Sequence, residues 1–325
     1  MTRRHLIILV ACLLTAKALS AIDLARAGTW PERVVRVLTP SAPGSSIDLA
    51  ARVFAERLAE RWGRPIVIDN RPGADGIIAV QSFLQAADDH TLLFAFPGVV
   101  TVVPLLHERL PYDPARDLVP ISSVALDFLA VAVTSTLPVG SLDELVGLAK
   151  TRPSQLNWTA SPGAPYLTFL EFQKRAGLGM AHVPYRSSVL ALPDLIAGQI
   201  QVVIVPLAAA LPLAHDGKIK LLAVTTLERA AAAPGLPTAS ETGYPELTVE
   251  APLGLFGPKT MAPELRERIA ADLRALAGDP AIVQRLSSLG MSARASTPAE
   301  YTATLAEQRA RWTALARAHG VRPQQ

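Results

Sequence analysis

The sequence predicts an α/β protein built as two mainly parallel sheets with helices packed on both faces. Three observations carry that reading. Short β-branched runs alternate with helical stretches along most of the chain, the pattern left by strand–helix–strand crossovers. The chain has 325 residues, room for two domains at roughly 100–200 residues each. Half of the residues are hydrophobic but only 5% are aromatic, so Ala and Leu supply the apolar bulk, which suits helices on a sheet better than a sandwich.

The elements follow in order. Val34–Thr39 reads as a strand, Ser46–Arg61 as a helix, Ile66–Asn70 as a strand, Gly76–Ala86 as a helix and Thr91–Phe96 as a strand. A Pro-rich connection around Leu110–Asp117 precedes a strand at Leu129–Val133. Next come helix Ser141–Lys150, strand Asn157–Thr159, helix Pro165–Ala176 and strand Ala181–Pro184. Helix Val189–Ala197 and strands Gln201–Val205 and Ile219–Thr225 complete the alternation. From Pro263 onward the pattern is of amphipathic helices covering a sheet already made. Ser141-Leu-Asp-Glu144 and Thr297-Pro-Ala-Glu300 read as capping boxes, and Asp279-Pro280 as a further N-cap.

The N-terminus reads as an export signal. Arg3-Arg4-His5 precedes an apolar run from Leu6 to Leu14, which ends in small residues near Ala18-Leu19-Ser20. That run is far short of the ~20 residues that span a bilayer. Cleavage fits after Ser20, or after Ala27. Cys12, the single cysteine, sits inside the apolar run; Leu9-Val10-Ala11-Cys12 matches a lipoprotein box in form, but only Leu6 to Leu9 precede it as apolar run. A mature chain without disulfides suits a bacterial periplasm. Residues 1–27 also hold the chain's whole charge excess, Arg3, Arg4, Lys17 and Arg26 against Asp23. The body that remains is neutral, which gives nucleic-acid binding no support.

Two strand-to-helix junctions are loaded with Gly and Pro. Pro40-Ser-Ala-Pro-Gly-Ser-Ser-Ile-Asp48 follows the first strand, and Asn70-Arg-Pro-Gly-Ala-Asp-Gly76 follows the second. Gly44 permits close backbone approach to a ligand, and Ser45 or Ser46 caps the next helix. A helix N-terminus offers free N–H donors and the positive end of the dipole, so it suits a carboxylate or phosphate. In an open parallel sheet both loops stand at the carboxyl edge, where ligands bind. The same loops also read as plain turns, with Asp48 a cap and Asp75 a turn residue.

Enzyme templates do not fit. The loops lack Gly-Lys-Ser/Thr and the G-x-G-x-x-G spacing, no G-x-S-x-G elbow is present, and no two of the six histidines stand three or four apart. No catalytic residue, metal site or cofactor is expected. His182 and Tyr185 remain conceivable acid–base groups, with structural hydrogen bonding the plainer role.

The ordered set of motifs resembles a known family. Trp30-Pro-Glu-Arg33, Pro40-Ser-Ala-Pro-Gly44, Asp48, Ala51-Arg52 and Asn70-Arg-Pro-Gly-Ala74 are followed by Leu110-Pro-Tyr-Asp-Pro114 and His182-Val-Pro-Tyr-Arg186. Asp194-Leu195 with Gly198-Gln199, Gly217-Lys218 with Leu222-Ala-Val-Thr225, and Pro237-Thr238 with Glu241-Thr-Gly243 continue it, to Arg309 and Trp312. Together they resemble the solute-binding proteins of tripartite tricarboxylate transporters, the Bug receptors, over nearly the whole chain after the leader.

The resemblance implies a type II periplasmic-binding-protein fold, two doubly wound α/β domains joined by two crossover strands with a ligand cleft between them. It implies a signal peptide at 1–27, a first domain at 30–126, a second at 127–248 and a return to the first at 249–325. It further implies a monomer that captures a small organic anion by domain closure and hands it to the transporter's membrane permease subunits. The implied ligand residues are Ser41, Ala42, Pro43, Gly44, Ser45 and Asp48 in the first loop, with Pro72, Gly73, Ala74, Asp75 and Gly76 in the second. They grip one carboxylate through main-chain groups and ordered water. Ser161, Gly163 and Ala164, then Tyr185, Arg186 and Ser187, face the far end, and Phe96 forms a cleft wall. Arg186 is the expected countercharge, and Tyr166 a further wall or a core residue.

Departures from the family pattern fall at Ser41, Ser45, Asp75, Ala79 and Ser187. Asp75 matters most, since a fixed negative charge there repels an anion unless it points away, pairs with Arg71 or serves a polar or cationic ligand. Two alternatives share the same sequence features: a binding protein that presents its ligand to a sensor, and a periplasmic hydrolase or lyase.

Overall fold

The computed structural model describes residues 30–323; the leader, with Cys12 and both cleavage positions, lies outside the described residues. β1 (Val35–Thr39) leads into α1 (Ser46–Trp62), and β2 (Ile66–Asn70) into α2 (Ile77–Ala86). β3 (Thr91–Ala95) leads into two single turns, α3 (Gly98–Thr101) and α4 (Val103–Leu106). After α5 (Pro114–Asp117), β4 (Leu118–Asp127) passes almost directly into β5 (Leu129–Thr134). α6 (Leu142–Thr151), β6 (Asn157–Ala160), α7 (Ala164–Ala176), β7 (Ala181–His182) and α8 (Leu192–Ile196) follow. β8 (Val202–Pro206), α9 (Leu207–His215) and β9 (Ile219–Val224) close the second sheet. The chain then returns through β10 (Ala251–Pro258) to α10 (Pro263–Ala277), α11 (Pro280–Ser288), β11 (Met291–Ala293) and α12 (Pro298–Ala318).

The local chemistry at helix starts matches the sequence patterns. Thr297 Oγ1 accepts from Glu300 N at 3.2 Å while Glu300 Oε2 accepts from Thr297 N at 2.8 Å, a complete capping box. At the other box Ser141 caps Glu144 N, but Glu144 Oε2 takes Gly140 N instead of its own N-cap. The stretch expected as one helix over 189–197 divides into a tight turn at Ser188–Ala191 and the short α8, where Pro193 lies in the first turn and cannot donate to a preceding carbonyl.

Both sheets are mixed, where mainly parallel ones were expected. The first runs β11-β4-β10-β3-β1-β2 and the second β7-β6-β8-β5-β9. β1, β2 and β3 pair in parallel, β10 is antiparallel to β3, and β4 is antiparallel to β10. In the second sheet β6 is parallel to β7 and β8, whereas β5 is antiparallel to β8 and β9. β5 and β10, the strands by which the chain enters each sheet from a crossing, run against the crossover strands because they start at the edge where those strands end.

These directions place the two edges that matter. β4 runs parallel to β1, β2 and β3, so its end at Asp127 stands at their carboxyl edge. β5 starts at the carboxyl edge of β6, β7 and β8, only two residues further on. β9 ends and β10 begins at the same two edges, and Val249 N donates to Thr225 O at 2.8 Å between them. The carboxyl edges of the two sheets therefore face each other across both crossings.

Each sheet has its own core. Val37, Phe54, Leu92, Leu255 and Ile269 pack on one face of the first sheet, and Phe83, Leu93, Phe256 and Tyr301 on the other. Trp158, fully buried, gathers Phe169 and Phe172 in the second. α12 belongs to both: Tyr301 and Leu305 pack in the first-sheet core, whereas Trp312 and Ala316 are buried with Trp158. Val102, between α3 and α4, joins that second core too. Among the described residues no helix is long and apolar enough to cross a membrane.

Candidate functional site

The first loop is held open from below. Ser45 is the N-cap of α1, its Oγ accepting from Asp48 N at 3.4 Å. Asp48 itself is 1% exposed and takes Gly44 N at 2.8 Å, the Arg52 guanidinium at 3.0 Å and Asn70 Nδ2 at 2.9 Å. Burial pushes the Asp48 carboxyl up, but the hydrogen bonds from Arg52, Gly44 and Asn70 outweigh it and hold the group below the ordinary carboxylate range. Gly44 therefore commits its N–H to Asp48, and its positive φ of 81° explains the glycine. The amides left over are those of Ser46 and Ile47, which open α1 and have no acceptor within the helix.

Asn70 joins the first loop to the second. Besides Asp48 it donates to Ser41 O at 3.0 Å, while Ser41 Oγ lies 3.1 Å from Thr39 Oγ1. Ala42 accepts from Ser45 N, and Pro43 is exposed at the tip. Asn70 ends β2, and sequence reasoning read it only as part of a motif; its place at a strand's carboxyl end was the available signal.

The second loop is a run of positive φ angles: Gly73 at 123°, Ala74 at 45°, Asp75 at 52° and Gly76 at 93°. Gly76 is wedged between Pro40 of the first loop and Val99 of α3, and an added Cβ would lie 2.9 Å from Val99 Cγ1. Ala74 and Asp75 hold the left-handed conformation without glycine, a strain of the sort that collects at ligand loops. Pro72 is exposed before them. Asp75 does not pair with Arg71, which turns back to Asp69 at 2.9 Å. Its partner is His107, at the end of α4, with Oδ2 3.0 Å from Nε2. Phe96, half-buried, closes over Gly98, where a Cβ would meet its ring at 2.7 Å.

On the second sheet Gly163, at φ 106°, precedes α7, and a Cβ there would stand 3.5 Å from Val102 of the first half. Ala164 is the first residue of that helix. Ser161 Oγ accepts from Ser188 N at 3.1 Å and lies 2.9 Å from Ser188 Oγ, pinning the turn that carries Ser187. The Tyr185 hydroxyl donates to Asp194, and that bond raises its pKa. Arg186 is exposed and, among the described residues, has neither ion pair nor hydrogen bond. Tyr166 stacks on Trp158 at 5.6 Å, beside His182, whose pKa burial lowers.

Each carboxyl edge thus carries its own set of polar groups. One edge presents the Ser46 and Ile47 amides with the strained second loop; the other presents the pinned 161–164 and 185–188 turns with a free guanidinium. A shallow groove of about 660 Å³ between α9 and α11, lined in part by Leu211, Ala232, Val283 and Gln284, shares no residue with these loops.

Comparison with known proteins bears on the chain as a whole. Residues 50–321 match the family model described as the tripartite tricarboxylate transporter family receptor. A UPF0065 protein of Bordetella bronchiseptica is 34% identical over 97% of this chain and 95% of its own length. Among solved structures, Rpa4515 of R. palustris with adipate superposes with a TM-score of 0.83 at 30% identity, covering 91% of this chain and all of that one. MatC of Rhodopseudomonas palustris with bound malate gives 0.75 at 26% identity, over 88% and 99% of the two chains.

Proposed function

The chain belongs to the tripartite tricarboxylate transporter family of receptors, and from that membership we propose that it is an exported, monomeric solute-binding protein for a small dicarboxylate. Residues 30–126 with 249–325 form one domain and 127–248 the other, and the two close over the solute about the crossings at 127–129 and 249–251. The closed form is what the permease subunits recognise, and the solute leaves chemically unchanged. The leader at 1–27 directs the chain to the periplasm. The ligands in the two neighbouring structures, adipate and malate, support a dicarboxylate of four to six carbons.

The observation that carries this reading is the pairing of free helix amides at Ser46 and Ile47 with an uncommitted guanidinium at Arg186 on the facing edge. One solute carboxylate caps α1 and the other meets Arg186. A thermal-shift panel of dicarboxylates, monocarboxylates and amino acids tests the class, since a ligand at ~100 times its Kd adds about 2.7 kcal/mol. Arg186→Ala is expected to weaken the best dicarboxylate by about ten- to a hundredfold, the worth of one charge-assisted hydrogen bond. Unchanged affinity for every hit removes Arg186 from the site.

Asp75 sets the balance of charge. Its contact with His107 leaves the side chain 45% exposed, so a carboxylate stands open to the anion. Asp75→Asn keeps a residue that tolerates the left-handed conformation and deletes the charge. Titrations at low ionic strength are expected to show dicarboxylate affinity rising about three- to tenfold, with the gain shrinking at high salt. A fall in affinity would instead make Asp75 a ligand for a donor group on the solute.

A further inference from the structure

Asp127, the last residue of β4, stands at the carboxyl edge that carries both loops and begins the crossing to β5. Its side chain reaches the start of α1, where Ser46 Oγ donates to Oδ2 at 2.7 Å. The other oxygen, Oδ1, is buried and has no hydrogen-bond partner, in a residue only 6% exposed. An unpaired buried carboxyl oxygen is costly. Its strand neighbours in register are Ala251 of β10 and Met291 of β11, neither ionisable. The ionisable residues on α1 and flanking β10 and β11 are committed elsewhere: Asp48 to Arg52 and Asn70, Glu250 to Arg294, and Arg294 also to Glu228. Burial raises the Asp127 pKa to about 6, with the Ser46 hydrogen bond opposing.

We propose that Asp127 is a specificity-determining residue of the solute site, holding a proton on Oδ1 and donating it to an anionic oxygen of the solute beside the Ser46 and Ile47 amides. The assignment rests on the reading of the chain as a carboxylate receptor. No covalent bond changes: the proton comes from solvent, stays on Asp127 and is shared with the solute oxygen. A protonated acid at this position favours a carboxylate, which is basic enough to share a proton, over a sulfonate, which is not. It also explains the orphan oxygen, whose partner is the ligand.

The test is calorimetric titration of the full mature chain with adipate, or succinate if that binds more tightly, at pH 7.0 in buffers of different ionisation enthalpy. Wild type is expected to take up about 0.9 proton per solute, the deprotonated fraction of a group titrating one unit below the working pH. Asp127→Asn, which donates without needing a proton, is expected to take up none and to bind about tenfold more tightly at that pH. Binding without proton uptake by wild type, or with equal uptake by Asp127→Asn, overturns the assignment and leaves the receptor reading intact. Failure of every dicarboxylate of four to six carbons to bind wild type overturns both.

Discussion

Asp48→Ala is expected to cost about 2–3 kcal/mol of folding stability at pH 7 and to abolish tight dicarboxylate binding. The carboxylate is the hub of the first loop: without it Gly44 N, Asn70 Nδ2 and the Arg52 guanidinium lose their acceptor together. Removing one member of a buried ion pair typically costs about 3–5 kcal/mol, but Arg52 is 49% exposed and turns to water, so the lower figure applies. The pH dependence has a definite sign. Because the folded-state pKa is depressed, the stability Asp48 supplies is complete above its unfolded value near 3.8 and is lost as pH falls through the folded one. Urea denaturation should show the gap between wild type and Asp48→Ala closing in strong acid. A midpoint for the variant that matches wild type at pH 7 would mean that the loop is held by something else.

The parts of this molecule legible in the sequence are those governed by local chemistry. Gly44 and the Ser45 cap mark the start of α1 because a positive φ and an N-cap each demand a residue type. The same holds for Thr297 and Glu300. β4 is not legible as a strand because its run, Leu118 to Asp127, does not alternate and contains Pro120, Ser122 and Ser123. Those serines are tolerable only because Ser296 and Arg294, some 170 residues away, supply their partners. β10 was hidden for a related reason. Gly254 and Gly257 weaken its strand pattern, yet they are small because Tyr301 and Met261 occupy the space a Cβ would need.

The site divides in the same way. Both loops could be found from Gly and Pro at strand ends, whereas the partners of their charged residues could not. Arg71 is the natural partner for Asp75 in sequence, but Asp69 is two residues away and takes the guanidinium through Nε and Nη2. His107, 32 residues on, takes its place only because α4 folds back over the second loop. Asp127 carries no sequence signal, since its meaning lies in a strand without alternation and in one hydrogen bond spanning 81 residues.

That residue carries the second large effect, and it runs opposite to Asp48. Burial raises the Asp127 pKa from 3.8 to about 6 in the folded chain, so the folded state binds its proton more tightly than the unfolded one does. Stability from this group is therefore full below about pH 4 and lost as pH rises through 6. At about 1.36 kcal/mol per unit, the loss approaches about 3 kcal/mol above pH 7. Asp127→Asn removes the titration while keeping the shape and an acceptor for Ser46. Any fixed cost of burying its amide is the same at every pH, so the informative quantity is the change in the difference between the two proteins. Without solute, the stability of Asp127→Asn relative to wild type is expected to rise by about 2–3 kcal/mol between pH 4.0 and pH 7.5 in urea denaturation. A difference that stays constant across that range would mean that Asp127 ionises freely in the folded chain, and that its buried oxygen is not the isolated group the structure depicts.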